Sequence, residues 1–211
     1  MHTAREVGGD FYDFFLIDPN RLGFVIGDVS GKGIPAALLM AVSRTLIKAT
    51  ALKSMPADEC LLAVNRILHL ESVSTMFVTV FYGVLDLRNG EVTYCNGGHN
   101  PPFILRNDGK VETMENIGGL MLGAFSFSTY QTGRTTLQRD ESLVLYTDGV
   151  TEATDKSDNE FSETRLSESL ASKRTLPITQ IISDVVKEVR DFSTGVPQSD
   201  DITMLVLRYL K

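Results

Sequence analysis

The sequence is poor in the residues that mark several common function classes. Cysteine occurs only twice, at Cys60 and Cys95, with neither a metal-binding spacing nor the makings of a disulfide framework. A reducing compartment, and so a cytoplasmic location, is expected. Basic residues are outnumbered, 20 Lys and Arg against 27 Asp and Glu for a net charge of −7. That balance argues against a nucleic-acid groove as the principal function. No apolar run approaches the roughly 20 residues that a membrane-crossing helix requires. Polar residues from His2 to Glu6 follow Met1 at once, so no signal-peptide pattern is visible.

What is present reads as one folded domain of 211 residues, 43% apolar and 22% charged. A glycine-aspartate motif, Val7-Gly8-Gly9-Asp10-Phe11-Tyr12-Asp13, comes with no leading element to support it. The expectation is therefore a fragment of a longer protein.

The pattern predicts strands over Phe11–Ile17 and Leu22–Ile26, joined by a turn at Asp18-Pro19-Asn20-Arg21. Helical spacing of Ile34, Leu38, Ala41, Val42, Leu46 and Ala49 predicts a long helix from Ile34 to Lys53, with Pro35 in its first turn. A second helix is predicted from Ala57 to Leu70. Strands follow at Met76–Leu87, Val92–Asn96, Phe103–Arg106, Val111–Met114, Ser126–Thr136 and Ser142–Tyr146. A charged loop at Thr154–Glu160, helices at Ser162–Ser172 and Pro177–Phe192, and a strand at Ile202–Tyr209 complete the chain. Hairpin strands with paired helices before and after them indicate an α+β layered fold rather than alternating βαβ units.

Four acidic positions share one context, an aspartate beside a glycine or small residue at the edge of an apolar run. They are Asp10, Asp28, Asp148 and Asp200, the last followed by Asp201. Taken singly, each fits an ordinary turn. Together they pose an electrostatic problem, because carboxylates gathered at strand ends raise one another's pKa unless a cation intervenes. Oxygen ligands with no accompanying His or Cys favour Mg²⁺ or Mn²⁺ over zinc. Two such ions about 3.5–4 Å apart can share a carboxylate and activate a water for attack on phosphorus. Spacing alone does not establish that the four converge.

Gly27-Asp28-Val29-Ser30-Gly31-Lys32-Gly33-Ile34-Pro35-Ala36-Ala37 and the Val7–Asp13 motif resemble the metal-dependent PPM (PP2C-type) Ser/Thr phosphatases. The likeness is closer to their bacterial stage II sporulation protein E and RsbU-type branch. Gly97-Gly98-His99-Asn100-Pro101-Pro102, Tyr146 to Ala153 and Asp200-Asp201-Ile202-Thr203 match further blocks in the same order. The resemblance implies an α-β-β-α sandwich of two antiparallel sheets with a binuclear Mn²⁺ or Mg²⁺ centre at one end. It implies that Asp28 bridges the metals, that the Val29 carbonyl binds one, that Asp148 and Asp200 hold the other, and that Asp10 acts directly or through water. Asp201 takes a supporting role. Arg5 has the offset of the phosphate-gripping arginine, and Ser30 stands where eukaryotic relatives carry a His proposed as general acid. The resemblance further implies a phosphorylated anti-sigma-factor antagonist as substrate and an upstream sensor or receiver domain, with the present chain as the C-terminal phosphatase domain. A homodimer through the regulatory region is compatible with it. The first long helix is expected to transmit the regulatory signal, through positions such as Leu38 and Leu46.

Other readings compete for the same residues. Gly31-Lys32-Gly33-Ile34-Pro35-Ala36 satisfies a loose dinucleotide pattern, but an acid-ended parallel strand is missing where Ser43–Lys53 reads as helix. A P-loop needs a Ser or Thr after Lys32 and a different spacing. His99, followed by Asn-Pro-Pro, is expected to fix a turn by hydrogen bonding rather than act as a base. Gly118 to Gly123 is expected to be a plain connection, and the Thr154–Glu160 loop either solvated or a flap that contacts a partner. A non-catalytic binding module and a small phosphate-ester hydrolase remain the alternatives to a protein phosphatase.

Overall fold

The computed structural model describes residues 1–4, 7–71 and 76–211. The elements run β1 (Phe11–Asp18), β2 (Arg21–Val29), α1 (Ile34–Ala51), α2 (Ala57–Glu71), β3 (Val78–Asp86), β4 (Glu91–Gly97), β5 (Phe103–Leu105) and β6 (Val111–Thr113). They continue with β7 (Gly118–Gly119), β8 (Gly133–Thr136), β9 (Ser142–Tyr146), α3 (Asp148–Thr151), α4 (Ser162–Lys173), α5 (Ile178–Phe192) and β10 (Met204–Arg208). One sheet has the order β1-β2-β3-β4-β7 with β8 also on β4; the other has the order β10-β9-β5-β6.

Strand parity builds the layers. Successive side chains of a strand point to opposite faces, and in β2 and β9 both faces are apolar. Phe24 and Ile26 of β2 meet Leu143 and Leu145 of β9 in the core between the sheets, joined by Phe81, Tyr94, Ile104 and Leu205. Val25, on the other face of β2, packs with Val80 and Tyr82 beneath Ile47 and Ala51 of α1 and Cys60, Leu61 and Val64 of α2. Val144 and Tyr146, on the other face of β9, pack with Leu166 and Leu170 of α4 and Ile181, Val185 and Val189 of α5. The result is the expected α-β-β-α sandwich. Its three apolar layers leave the strand ends as the place where polar groups gather.

Three expectations are corrected. The strand foreseen at Ser126–Thr136 is confined to Gly133–Thr136. Its first half is a loop beside α2, where the Thr132 hydroxyl donates to Asp58 at 2.7 Å and, just before the segment, the Phe125 carbonyl accepts from Asn65 Nδ2 at 3.1 Å. The connection at Gly118-Gly119 is a short strand, paired parallel to Asn96-Gly97. A Cβ on Gly118 would lie 1.9 Å from the Asn96 carbonyl oxygen, so only glycine allows that approach. Helix α1, expected to be no spanning segment, has 18 residues and is long and apolar enough to cross a membrane by length and composition. Here it lies along the first sheet through Ala36, Ser43, Ile47, Thr50 and Ala51, while Ile34, Leu38 and Val42 face outward.

Candidate metal centre

The parity that sends Ile26 between the sheets also sends Asp28 into the cleft at the end of the sandwich. Asp28 stands opposite Thr79 in the β2–β3 ladder, and the Phe11–Gly27 pair places Asp10 alongside it. From the other sheet, Asp148 follows β9 as the first residue of α3, and Asp200-Asp201 precede β10. The four aspartates therefore come from two sheets and meet at one edge.

Thr147 joins the two sides. Its hydroxyl donates to Asp10 Oδ2 at 2.7 Å and accepts from the Thr203 amide at 3.1 Å. Asp201 holds the chain that carries Asp10: its carboxylate accepts from the amides of Ala4 (2.7 Å), Gly9 (2.9 Å) and Asp10 (3.4 Å). This is the supporting role expected of Asp201, in the form of a backbone clamp. It requires close approach, since a Cβ on Gly8 would fall 2.2 Å from Asp201 Oδ2 and one on Gly149 only 2.0 Å from the Asp201 carbonyl oxygen. Gly149→Ala is accordingly expected to destabilise the domain by about 1–3 kcal/mol, because a backbone atom must move to make room. Urea denaturation measures it, and an unshifted midpoint would show that the loop yields freely.

Burial raises the carboxyl pKa of Asp10 well above the carboxylate range, against hydrogen bonds such as that from Thr147 and with the charges of Asp28 and Asp201 adding to it. Burial also raises Asp28, reinforced by Asp148 and Asp200. Asp148 rises for the same two reasons, desolvation first and Asp200 second. Among the described residues, the cation in direct contact is Lys32, whose Nζ lies 2.9 Å from Asp200 Oδ2 and 2.5 Å from the Ser199 carbonyl. Among the described residues, one ammonium thus faces several half-buried and buried carboxylates, fewer positive charges than negative ones.

The donors suit a hard divalent cation. All are oxygens, and the absent side chain of Gly9 leaves open a cradle between two of them. An atom at that Cβ place would lie 2.9 Å from the Val29 carbonyl oxygen and 3.3 Å from Asp28 Oδ1. Among the described residues, no three His, Cys, Asp or Glu side chains are drawn together as a finished cage. Arg5 lies outside the described residues. Ser30 is engaged with the backbone: its Oγ accepts from the Phe77 amide at 2.8 Å, and its own amide donates to the Phe77 carbonyl at 3.0 Å, prolonging the β2–β3 pairing past the strand end.

His99 does more than fix a turn. The turn itself is made by Asn96, whose side chain accepts from the His99 amide (2.7 Å) and donates to the His99 carbonyl (2.8 Å). The ring is 4% exposed and spans the two sheets, with Nε2 3.1 Å from the Tyr146 carbonyl and Nδ1 3.0 Å from the Thr79 hydroxyl. A carbonyl can only accept, so Nε2 carries the proton and Nδ1 accepts from Thr79. The imidazole thus ties the residue opposite Asp28 to the strand end that leads into Asp148. Reading the sequence missed this tie, Thr147 and the Lys32–Asp200 contact, all of which depend on partners far apart in the chain.

Comparison with known proteins sets this geometry in context. The family described as "Stage II sporulation protein E (SpoIIE)" matches residues 18–210. Protein IcfG of Synechocystis is 33% identical over 98% of this chain and 37% of its own length. Phosphoserine phosphatase RsbU of Bacillus subtilis is 29% identical over 97% of this chain and 60% of its own. The chain thus spans less than two thirds of the length of both relatives. Among solved structures, the RsbU and RsbW domains of Rv1364c from Mycobacterium tuberculosis superpose with a TM-score of 0.85 at 28% identity, covering 98% of this chain and 56% of that one. The SiaA-PP2C domain of Pseudomonas aeruginosa superposes with a TM-score of 0.87 at 20% identity, over 99% of this chain and 83% of that one, which speaks for the fold.

Proposed function

The chain belongs to the SpoIIE family of PP2C-type Ser/Thr phosphatases, and from that premise we propose that it hydrolyses phosphoserine or phosphothreonine on a regulatory protein. The observation that carries the reading is the gathering of Asp10, Asp28 and Asp148 at one sandwich edge with their carboxyl pKa values raised by burial and by neighbouring acids. Such a site costs stability unless cations occupy it.

Asp28, the Val29 carbonyl, Asp148 and Asp200 would hold two Mn²⁺ or Mg²⁺ ions, with Asp10 contributing directly or through water. When bound, such ions would supply an activated water for in-line attack and offset the charge of the phosphoryl oxygens. The protein's part is positional. Asp201 and Thr147 orient Asp10, which immediately precedes β1, and Asp28 stands near the end of β2 rather than on a free loop. Lys32 sits at the mouth, where an ammonium would favour a dianionic phosphate. Arg5 is a further candidate for gripping the phosphate. Ser30 offers no imidazole, so the leaving serine oxygen must take its proton from another source.

The substrate class that fits this reading is a phosphorylated anti-sigma-factor antagonist, controlled through an upstream sensor or receiver domain in the full-length protein. Support comes from the likeness to phosphoserine phosphatase RsbU and from the partial coverage of the longer relatives. The test is release of phosphate from a phosphoserine peptide, a phosphorylated antagonist protein and nucleotides, with Mn²⁺ and with chelator. Turnover of the phosphoprotein that disappears on chelation is expected. Turnover undiminished in chelator would overturn the metal-dependent reading, and a preference for nucleotides would move the protein to a small-ester hydrolase.

A further inference from the structure

Next to the carboxylate edge lies a cavity of about 250 Å³ that the proposed chemistry does not use. Gly149 and Asp200 form the wall it shares with the site, and Arg190, Thr194, Gly195 and Gln198 belong to the rest of its lining. Its shape comes from the turn after α5, where Gly195 adopts a positive φ of 88°, and from Gln198, whose Nε2 donates to the carbonyls of Asp200 (2.8 Å) and His2 (3.0 Å).

The charge of this groove runs against that of the chain. Asp200 is its one carboxylate among the described lining residues, and it already faces Lys32. Arg190 is exposed at the last turn of α5, and the acids beside it on that helix are engaged: Glu188 with Lys173, and Asp191 with Lys187. Lys156, outside the groove wall itself, lies against Gly195 of its lining, close enough that a Cβ on Gly195 would stand 2.5 Å from its Cε. The loop that carries Lys156 is ordered by Asp155, whose Oδ1 accepts from the amides of Ser157 (2.8 Å) and Asn159 (3.0 Å). Glu152, which feels Asp148, Glu160 and Asp200, is not part of the groove wall. Two cations without a carboxylate partner among the described residues therefore flank a groove that opens beside the acidic edge, in a protein of net charge −7.

We propose that this groove is a specificity site that binds an acidic side chain of the polypeptide segment flanking the phosphorylated residue, with Arg190 and Lys156 as its cationic contacts. The inference rests on the phosphoprotein reading above, since a flanking segment exists only on a polypeptide substrate. Continuity of the wall through Asp200 sets the distance: a residue near the phosphoserine reaches the groove while the phosphate faces the carboxylate edge. Neither cation takes part in the chemistry, so both act on substrate choice alone.

Binding separates the two readings. Fluorescent peptides with a non-hydrolysable phosphonate in place of phosphoserine, flanked by Glu, Gln or Lys, are titrated by anisotropy in Mn²⁺. The wild type is expected to bind the Glu-flanked peptide about fivefold more tightly than the Gln-flanked one, the upper range for one exposed ion pair. Arg190→Gln is expected to erase the difference and Arg190→Glu to invert it in favour of the Lys-flanked peptide, while p-nitrophenyl phosphate turnover stays at the wild-type level. Lys156→Ala provides a second, independent loss. A Glu preference that survives in Arg190→Glu overturns the groove whether or not the enzyme turns over. Charge-dependent binding without hydrolysis of any phosphoester overturns the phosphatase reading and leaves the groove standing.

Discussion

Asp28→Asn is expected to lower Mn²⁺-supported hydrolysis of a phosphoserine peptide about a thousandfold, the several kcal/mol that metal activation of water and phosphate supplies. The same change is expected to leave the metal-free domain as stable as the wild type or more so. The two effects have one cause. Asp28 is held among neighbours that disfavour its charge, through burial first and then through Asp148 and Asp200. A neutral amide of the same shape removes that repulsion. Above neutral pH, where the wild-type carboxylate is driven to ionise against its surroundings, the gain is on the order of 1 kcal/mol, about 3 °C in midpoint for a chain of this size. Mn²⁺ should stabilise the wild type and do much less for the variant, because ligand-induced stabilisation follows affinity for the native state. Three measurements settle it: phosphate release, and the thermal midpoint with and without Mn²⁺. A variant that lost activity and also stability in chelator would make Asp28 a structural residue rather than a cation ligand.

The legible part of the molecule is the part written in local periodicity. In β2, Phe24 and Ile26 on one face and Val25 on the other announce a strand buried on both sides, and the sandwich follows from that. The same parity makes Asp28 a strand-end residue aimed between the layers. Features that depend on a remote partner were not legible. Gly118-Gly119 carries no side-chain pattern, so its pairing with Asn96 shows only once β4 is in place. Ser126 to Thr132 reads like a strand, yet it lies outside any ladder, with Thr132 donating to Asp58 of α2 and the Phe125 carbonyl just before it accepting from Asn65. Lys32 reads as part of a glycine-rich turn, and nothing near it announces a contact with Asp200. Thr147 is a small residue before an aspartate until Asp10, from the other end of the chain, accepts its hydroxyl. Convergence of the acids was thus open to expectation and closed only by the tertiary structure.

His99 supplies the second large effect, a loss of stability in mild acid. Burial holds its imidazole down to about pKa 4, against an ordinary value of 6.5, and the bond to the Tyr146 carbonyl only partly opposes this. Both ring nitrogens are satisfied in the neutral tautomer, so an added proton on Nδ1 would face the Thr79 hydroxyl it now accepts from. Below pH 6.5 the unfolded chain binds a proton that the folded protein refuses. Stability linked to His99 is therefore intact above pH 6.5 and falls as pH drops toward 4. The full difference is about 3 kcal/mol, or about 10 °C in midpoint for a chain of this length. Asp10 and Asp28, whose pKa values are raised, act in the opposite sense and gain stability as they protonate. The raw curve mixes these contributions, and the contrast with His99→Gln isolates the one in question. The variant should start less stable at pH 7.5, because it cannot span Thr79 and Tyr146 as the ring does, and should lose less than the wild type between pH 6.5 and 4.5. Thermal midpoints across that window give the comparison, and the proton NMR signal of the His99 ring gives the titration itself. An imidazole that titrates near 6.5 in the folded protein would mean that the tie between the two sheets is open to water.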